Sequence, residues 1–185
     1  MSSNDATNSA KPRVATAWLD GCSGCHMSFL DIDERLIELA DKIELVYSPV
    51  MDIKVYPENV DVALVEGSIS SHEDLEKIQT IRARTKVLVS LGDCAVTGNI
   101  PSLRNPFGVE ATMQRVYGNN GDPNPPIPNE VVPPLFRRVR PIHEVVKVDV
   151  FVPGCPPSAA TIWAVVNDLL AGQTTSVTNY TRFGA

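Results

Sequence analysis

Four cysteines are the residues of this chain best suited to do chemistry, and their spacing narrows what that chemistry is. Cys22 and Cys25 form a Cys-x-x-Cys pair, while Cys94 and Cys155 stand alone, each after an apolar run and a glycine. A Cys-x-x-Cys between strand and helix is the placement of an exchanging dithiol. Two more cysteines in equivalent turns argue against that reading. Zinc favours two close pairs, and here the second pair is split across separate loops. Inert core thiols belong on apolar faces, yet these four follow turns. An iron–sulfur cluster takes four thiolates arriving from different directions, which one tight pair and two singles supply. The arithmetic therefore points to one cluster held by Cys22, Cys25, Cys94 and Cys155, with zinc, dithiol exchange and inert thiols standing as alternatives.

Strand ends must carry these residues. Val14 to Leu19 reads as a strand running into a turn that holds Gly21 and Gly24. Beyond Met27, Phe29, Ile32, Leu36, Leu39 and Ala40 recur at helical spacing, with Ser28 and Asp31 placed to cap the start. Ile43 to Tyr47 and Val62 to Val65 read as strands, the latter ending in Glu66-Gly67-Ser68. Ser71 and Asp74 make a capping pair for a helix whose apolar positions are Leu75, Ile78 and Ile81. Lys86 to Leu91 leads into Gly92-Asp93-Cys94, and Val148 to Val152 into Pro153-Gly154-Cys155. A last helix presents Ile162, Val165, Val166, Leu169 and Leu170 and ends at Gly172. Between these, a short helix is expected over 111–117. Pro123, Pro125, Pro126, Pro128, Pro133 and Pro134 mark 118–134 as loop, a surface excursion or a lip on a partner subunit.

Strands alternating with helices predict an α/β, flavodoxin-like doubly wound fold: a mostly parallel sheet with helices on both faces and ligands outside the carboxyl ends of the strands. Every cysteine falls at such an end. Residues 13–172 read as one domain, between a flexible tail at 1–12 and a polar tail at 173–185. The 22 acidic against 16 basic residues, a formal charge of -6, disfavour nucleic acid as a partner. No run approaches the roughly 18 apolar residues that would span a bilayer, and the N-terminus is polar, so a cytoplasmic location is expected. In a reducing cytosol, four cysteines suit metal or redox work better than disulfides.

The ordered motifs Cys22-Ser23-Gly24-Cys25, Val65-Glu66-Gly67-Ser68-Ile69, Gly92-Asp93-Cys94-Ala95 and Gly154-Cys155-Pro156-Pro157 give the chain a resemblance to a known family. From about Val14 to Gly172 it resembles the small subunit of nickel–iron hydrogenases, most of all the short form in soluble, NAD-reducing bidirectional enzymes. That resemblance implies that the four cysteines ligate a proximal [4Fe-4S] cluster, with Glu66 beside it. It implies an electron-transfer role without bond chemistry: hydrogen is split at a Ni-Fe centre in a separate large subunit, and electrons pass to NAD-reducing, iron–sulfur and flavin diaphorase subunits. Longer small subunits carry a twin-arginine leader and a C-terminal domain with more clusters, features the sequence does not show. The cluster-bearing subunit of respiratory NADH:quinone oxidoreductase resembles the chain in its Gly-Cys-Pro-Pro turn, but places two cysteines side by side in its first motif.

One departure concerns His26 and Met27, which stand where many hydrogenases have a small hydroxyl residue and Glu. His26 is read either as a donor to a cluster sulfide or as a solvent-facing side chain; His72 and His143 read as ordinary. Gly21, Gly24, Gly92 and Gly154 are expected to offer backbone N–H groups to the cluster sulfurs. Trp18, Met27 and Trp163 are candidates for a partner-docking face. Two other classes stay open: an electron-transfer subunit of a quinone- or ferredoxin-linked complex, and a module binding flavin mononucleotide (FMN) at the same sheet edge.

Overall fold

Apolar runs buried on both sides are what inner parallel strands require, and the computed structural model, which describes residues 10–118, 127–173 and 175–181, is built around them. The first half of the chain runs β1 (Arg13–Trp18), α1 (Gly24–Leu30), α2 (Arg35–Lys42), β2 (Glu44–Tyr47), β3 (Val60–Glu66), β4 (Ile69–Ser71) and α3 (His72–Arg84). The second half runs β5 (Thr85–Leu91), α4 (Asp93–Thr97), α5 (Asn99–Ser102), α6 (Val109–Met113), β6 (Leu135–Arg140), β7 (Val150–Val152) and α7 (Ala159–Leu170). Five strands form one sheet in the order β2-β1-β3-β5-β7, every pairing parallel. This is the flavodoxin-like order.

Side chains alternate between the two faces of the sheet. Val14, Val62, Leu64, Val89 and Leu91 pack with Phe29 of α1, Leu39 of α2, and Ile162, Val165 and Val166 of α7. Ala15, Ala17, Ala63, Val65 and Leu88 pack with Ile78 and Ile81 of α3, Ala95 of α4, and Ile142. Each fully buried aliphatic side chain contributes about 1.5–3 kcal/mol, so both layers are firmly held. The capping pair expected at Ser71 and Asp74 is present: Ser71 Oγ accepts from Asp74 N–H at 3.2 Å, and Asp74 Oδ2 accepts from Ser71 N–H at 3.0 Å. Acidic residues in the first turn of α3 and Arg82 and Arg84 in its last suit the helix dipole.

The structure departs from the sequence reading in four places. The single helix expected after Met27 is two, α1 and α2, broken where Asp33 adopts φ +57°. Ser28, expected to cap, lies inside α1, buried, with its hydroxyl donating to the Pro157 carbonyl at 2.5 Å. That contact spans the fold, which local capping rules do not register. Ile69–Ser71 and Leu135–Arg140 pair as a small antiparallel sheet, too short and too charged to read as strands. The last strand of the main sheet begins at Val150 rather than Val148.

α6 continues into a π-helical turn, Gln114–Gly118, where a short helix was expected. Pro123, Pro125 and Pro126 lie outside the described residues, as do most of the proposed N-terminal tail and the end of the C-terminal one. Within that C-terminal stretch, Val177–Asn179 forms a 3₁₀ turn, and the Tyr180 carbonyl accepts from Thr161 Oγ1 of α7 at 2.9 Å. Among the described residues no helix is long and apolar enough to cross a membrane.

Candidate metal centre

Parallel pairing brings the carboxyl ends of β1, β3, β5 and β7 to one edge, and the turns beyond them are laced together. Past β1, the Leu19 N–H donates to the Glu66 carbonyl at 2.9 Å, and Asp20 exchanges backbone bonds with Ser68. Past β5, the Gly92 N–H donates to the Val152 carbonyl at 2.7 Å and the Asp93 N–H to the Gly154 carbonyl at 2.8 Å. Asp93 Oδ1 accepts from the Gly154 N–H at 2.8 Å, fixing the Cys94 and Cys155 turns to each other.

These turns gather the four cysteines. Cys25 is buried, 8% exposed, in the first turn of α1; Cys94 is half-buried in α4; Cys22 and Cys155 are exposed. At Gly92 (φ +82°) any Cβ would stand 2.1 Å from Cys25 Sγ, so the Cys25 thiol rests directly against the exit of β5. A Cβ on Gly21 would lie 4.0 Å from Cys94 Sγ and one on Gly24 3.1 Å from Cys22 Sγ. All four thiols are free of disulfides.

Burial pushes the Cys25 thiol far above its ordinary range, and negative charge on Glu66, Cys94 and Cys22 pushes the same way. Burial likewise raises Cys94, reinforced by Cys155 and Cys22. Cys22 thus acts on both Cys25 and Cys94, and Cys155 on Cys94; ionising Cys25 and Cys94 is penalised unless positive charge arrives with them. Among the described residues no three His, Cys, Asp or Glu side chains gather around the position of a single ion. Cysteine thiolates are the donor set of iron–sulfur clusters.

Glu66 ends β3 almost fully buried. Its Oε2 accepts from the His26 N–H at 3.0 Å, Oε1 has no partner, and burial raises its pKa. His26 is neither of the two things expected of it. It is buried, its ring between Trp18 and Phe29 and its Nε2 3.0 Å from Thr16 Oγ1. The Thr16 hydroxyl proton goes to Ser48 Oγ at 3.0 Å, so Nε2 donates to Thr16 and Nδ1, unpartnered, carries the lone pair. Burial lowers the His26 pKa and favours this neutral ring. A polar Thr16 within an otherwise apolar strand was the available signal. His72 and His143 are exposed and rest on Phe136 and Phe151, away from ligation.

The glycine donors are sorted differently from expectation. The Gly24 N–H reaches Cys22 Sγ at 3.4 Å, but those of Gly92 and Gly154 are committed to Val152 and Asp93. Gly21 comes close to Cys94 without such a bond being described. A donor that sequence reading missed is the Asn99 side chain, whose Nδ2 lies 3.4 Å from Cys155 Sγ.

A flavodoxin-like sheet with four free cysteines at its carboxyl edge defines the class of this α/β protein. Residues 22–169 match the family described as NADH ubiquinone oxidoreductase, 20 Kd subunit. Over 173 residues the chain is 40% identical to the NAD-reducing hydrogenase HoxS subunit delta of Cupriavidus necator, covering 91% of this chain and 83% of that one. It is also 30% identical over 154 residues to the sulfhydrogenase 2 subunit delta of Pyrococcus furiosus, covering 83% of this chain and 60% of that one. The structure superimposes on a chain of the crystal structure of an NAD+-reducing [NiFe]-hydrogenase in the H2-reduced state, with TM-score 0.88, 41% identity, and 94% and 99% coverage of the two chains. The chain belongs to the 20 Kd subunit family, on its branch of nickel–iron hydrogenase small subunits.

Proposed function

We propose that this chain is the electron-carrying small subunit of a soluble nickel–iron hydrogenase, with Cys22, Cys25, Cys94 and Cys155 holding a single [4Fe-4S] cluster. The observation that supports this is the presence of four free cysteines on three turns at one edge of the sheet. Such a cluster supplies one-electron chemistry when bound. The chain supplies the rest: Asp93 locks two ligand turns together, Gly92 makes room for Cys25, and Glu66 and His26 seal the inner side.

Electrons released from hydrogen at a Ni-Fe centre in a partner large subunit pass through this site toward NAD-reducing diaphorase subunits. Similarity to the NAD-reducing proteins over most of their length supports that direction. Met27 of α1 (45% exposed), Ile100 and Leu103 around α5, and Phe107 (74% exposed) present apolar surface on elements next to Cys25 and Cys94, as a docking face requires. Trp163 packs against the core beneath Arg35 and Lys42, and Trp18 against His26, which leaves Met27 as the exposed member of the three residues first considered. Four free thiols suit a reducing compartment, and the reading takes it to be the cytoplasm.

Iron and acid-labile sulfide measured on anaerobically purified protein, with an electron paramagnetic resonance (EPR) spectrum after reduction, test the reading. Roughly four of each per chain is the expected result. One zinc per chain, or no metal with a titratable dithiol, overturns it. Cys94→Ala should abolish NAD reduction while sparing hydrogen–deuterium exchange at the partner. A co-purifying large subunit without nickel would instead favour the quinone- or ferredoxin-linked class, and fluorescent flavin released by acid would add FMN.

A further inference from the structure

The junction of α4 and α5 touches two of the candidate ligand turns, at Cys94 and at Cys155. α4 closes at Gly98, whose N–H donates to the Cys94 carbonyl at 3.0 Å, so the junction is tied to the Cys94 helix. Asn99 follows with φ +29°, a left-handed backbone that Asn tolerates better than most residues. Its carbonyl accepts from Ser102 Oγ at 2.8 Å, which holds it there. One side-chain donor leaves this junction for a cysteine on a different loop: the Asn99 Nδ2 reaches Cys155 Sγ at 3.4 Å. A carboxamide carries no charge and has no proton to lose here, so it donates in every redox state of whatever Cys155 holds.

We propose that Asn99 is a positioning residue that raises the electron affinity of the cluster by donating its side-chain amide to the Cys155 sulfur; this rests on the cluster reading above. Reduction adds one electron, supplied by a low-potential one-electron reductant, with no bond made or broken and no proton exchanged at Asn99. The cysteine sulfurs then carry more negative charge. A donated hydrogen bond strengthens with the charge on its acceptor, so it stabilises the reduced state more than the oxidised one.

The test is an EPR-monitored redox titration of the purified complex with dissolved mediators, comparing wild type with Asn99→Gly and Asn99→Asp. Gly keeps the left-handed backbone and deletes the amide. Asp keeps shape and backbone tolerance but replaces a donor with a negative charge. In Asn99→Gly the ratio of reduced to oxidised cluster at a fixed potential should fall roughly three- to tenfold. In Asn99→Asp it should fall further, with iron and sulfide unchanged in both. Full iron with an unshifted midpoint overturns the inference, as does loss of iron from both variants, which would make the amide a clasp for the loop. Wild type without a cluster overturns the cluster reading as well, so the two failures are told apart.

Discussion

At the amino ends of the parallel strands, charges meet partners, whereas at the carboxyl ends of the same strands polar groups are buried without them. Asp149, just before β7, pairs with Arg82 and Lys147 and accepts the Leu88 N–H at 2.8 Å. Asp61 in β3 pairs with Lys86 and accepts the Arg13 N–H, and Arg84 pairs with Glu58. At the other edge, among the described residues, Glu66 Oε1, His26 Nδ1 and Ser90 Oγ are three of the four buried side-chain atoms without a hydrogen-bond partner, and Cys25 lies among them; the fourth, Thr175 Oγ1, follows α7. One edge pairs its charges, and the other buries polar groups without partners. Unsatisfied buried polar atoms are costly, so their concentration at one edge marks where stability is given up for function.

The largest effect should come from substituting Gly92. Gly92 and Gly108 share φ +82°, but a Cβ on Gly92 meets Cys25 Sγ while one on Gly108 meets nothing within 4 Å. Gly92→Ala should therefore lower stability by about 2–4 kcal/mol and strip iron from the complex, whereas Gly108→Ala should cost only about 1–2 kcal/mol for its backbone and leave iron in place. Urea denaturation and iron analysis on the two variants give the comparison; equal losses would erase the distinction between the site and a remote turn. Next, Asp149→Asn should cost about 1–3 kcal/mol with iron content unchanged, because the amino edge supports the sheet without touching the cysteines.

Acid should act on the two edges with opposite signs in the metal-free chain. Burial pushes Asp149 up, but the Leu88 N–H, Arg82 and Lys147 outweigh it and hold the carboxyl below its ordinary range. The stabilisation it contributes is present above the unfolded carboxylate range and is lost as pH falls through the depressed folded value. Glu66 is raised by burial. The folded chain keeps a proton there that the unfolded chain releases, so stability falls as pH climbs from the ordinary glutamate range through the raised folded value. Urea midpoints followed over pH should lose the acid-side decline in Asp149→Asn and the upward-pH decline in Glu66→Gln. The same slope in both variants and wild type would refute the contrast. The smallest effect belongs to Glu73→Ala, which breaks an exposed pair with Lys77 at 4.0 Å and should change stability by no more than about 0.5 kcal/mol.

Much of this contrast was legible before the fold was known. The strand positions, the doubly wound class and the capping pair at Ser71 and Asp74 are written in contiguous residues, since apolar runs and cap spacing act over a few positions. The placement of four cysteines at strand ends was readable for the same reason. The split of α1 from α2 at Asp33 was not, nor the burial of Ser28, which reaches Pro157, 129 residues away. Nor was the neutral, enclosed His26, whose partner Thr16 lies in β1 and itself donates to Ser48 beyond β2.

The sequence by itself determined which residues were candidates for chemistry and that a parallel sheet would deliver them to one edge, because composition and periodicity are local properties. Only the tertiary structure decided which glycines make space rather than donate, and that Asn99 meets Cys155 across 56 residues of chain. Those outcomes depend on how separate turns stack at the sheet edge, and no window of neighbouring residues contains that information.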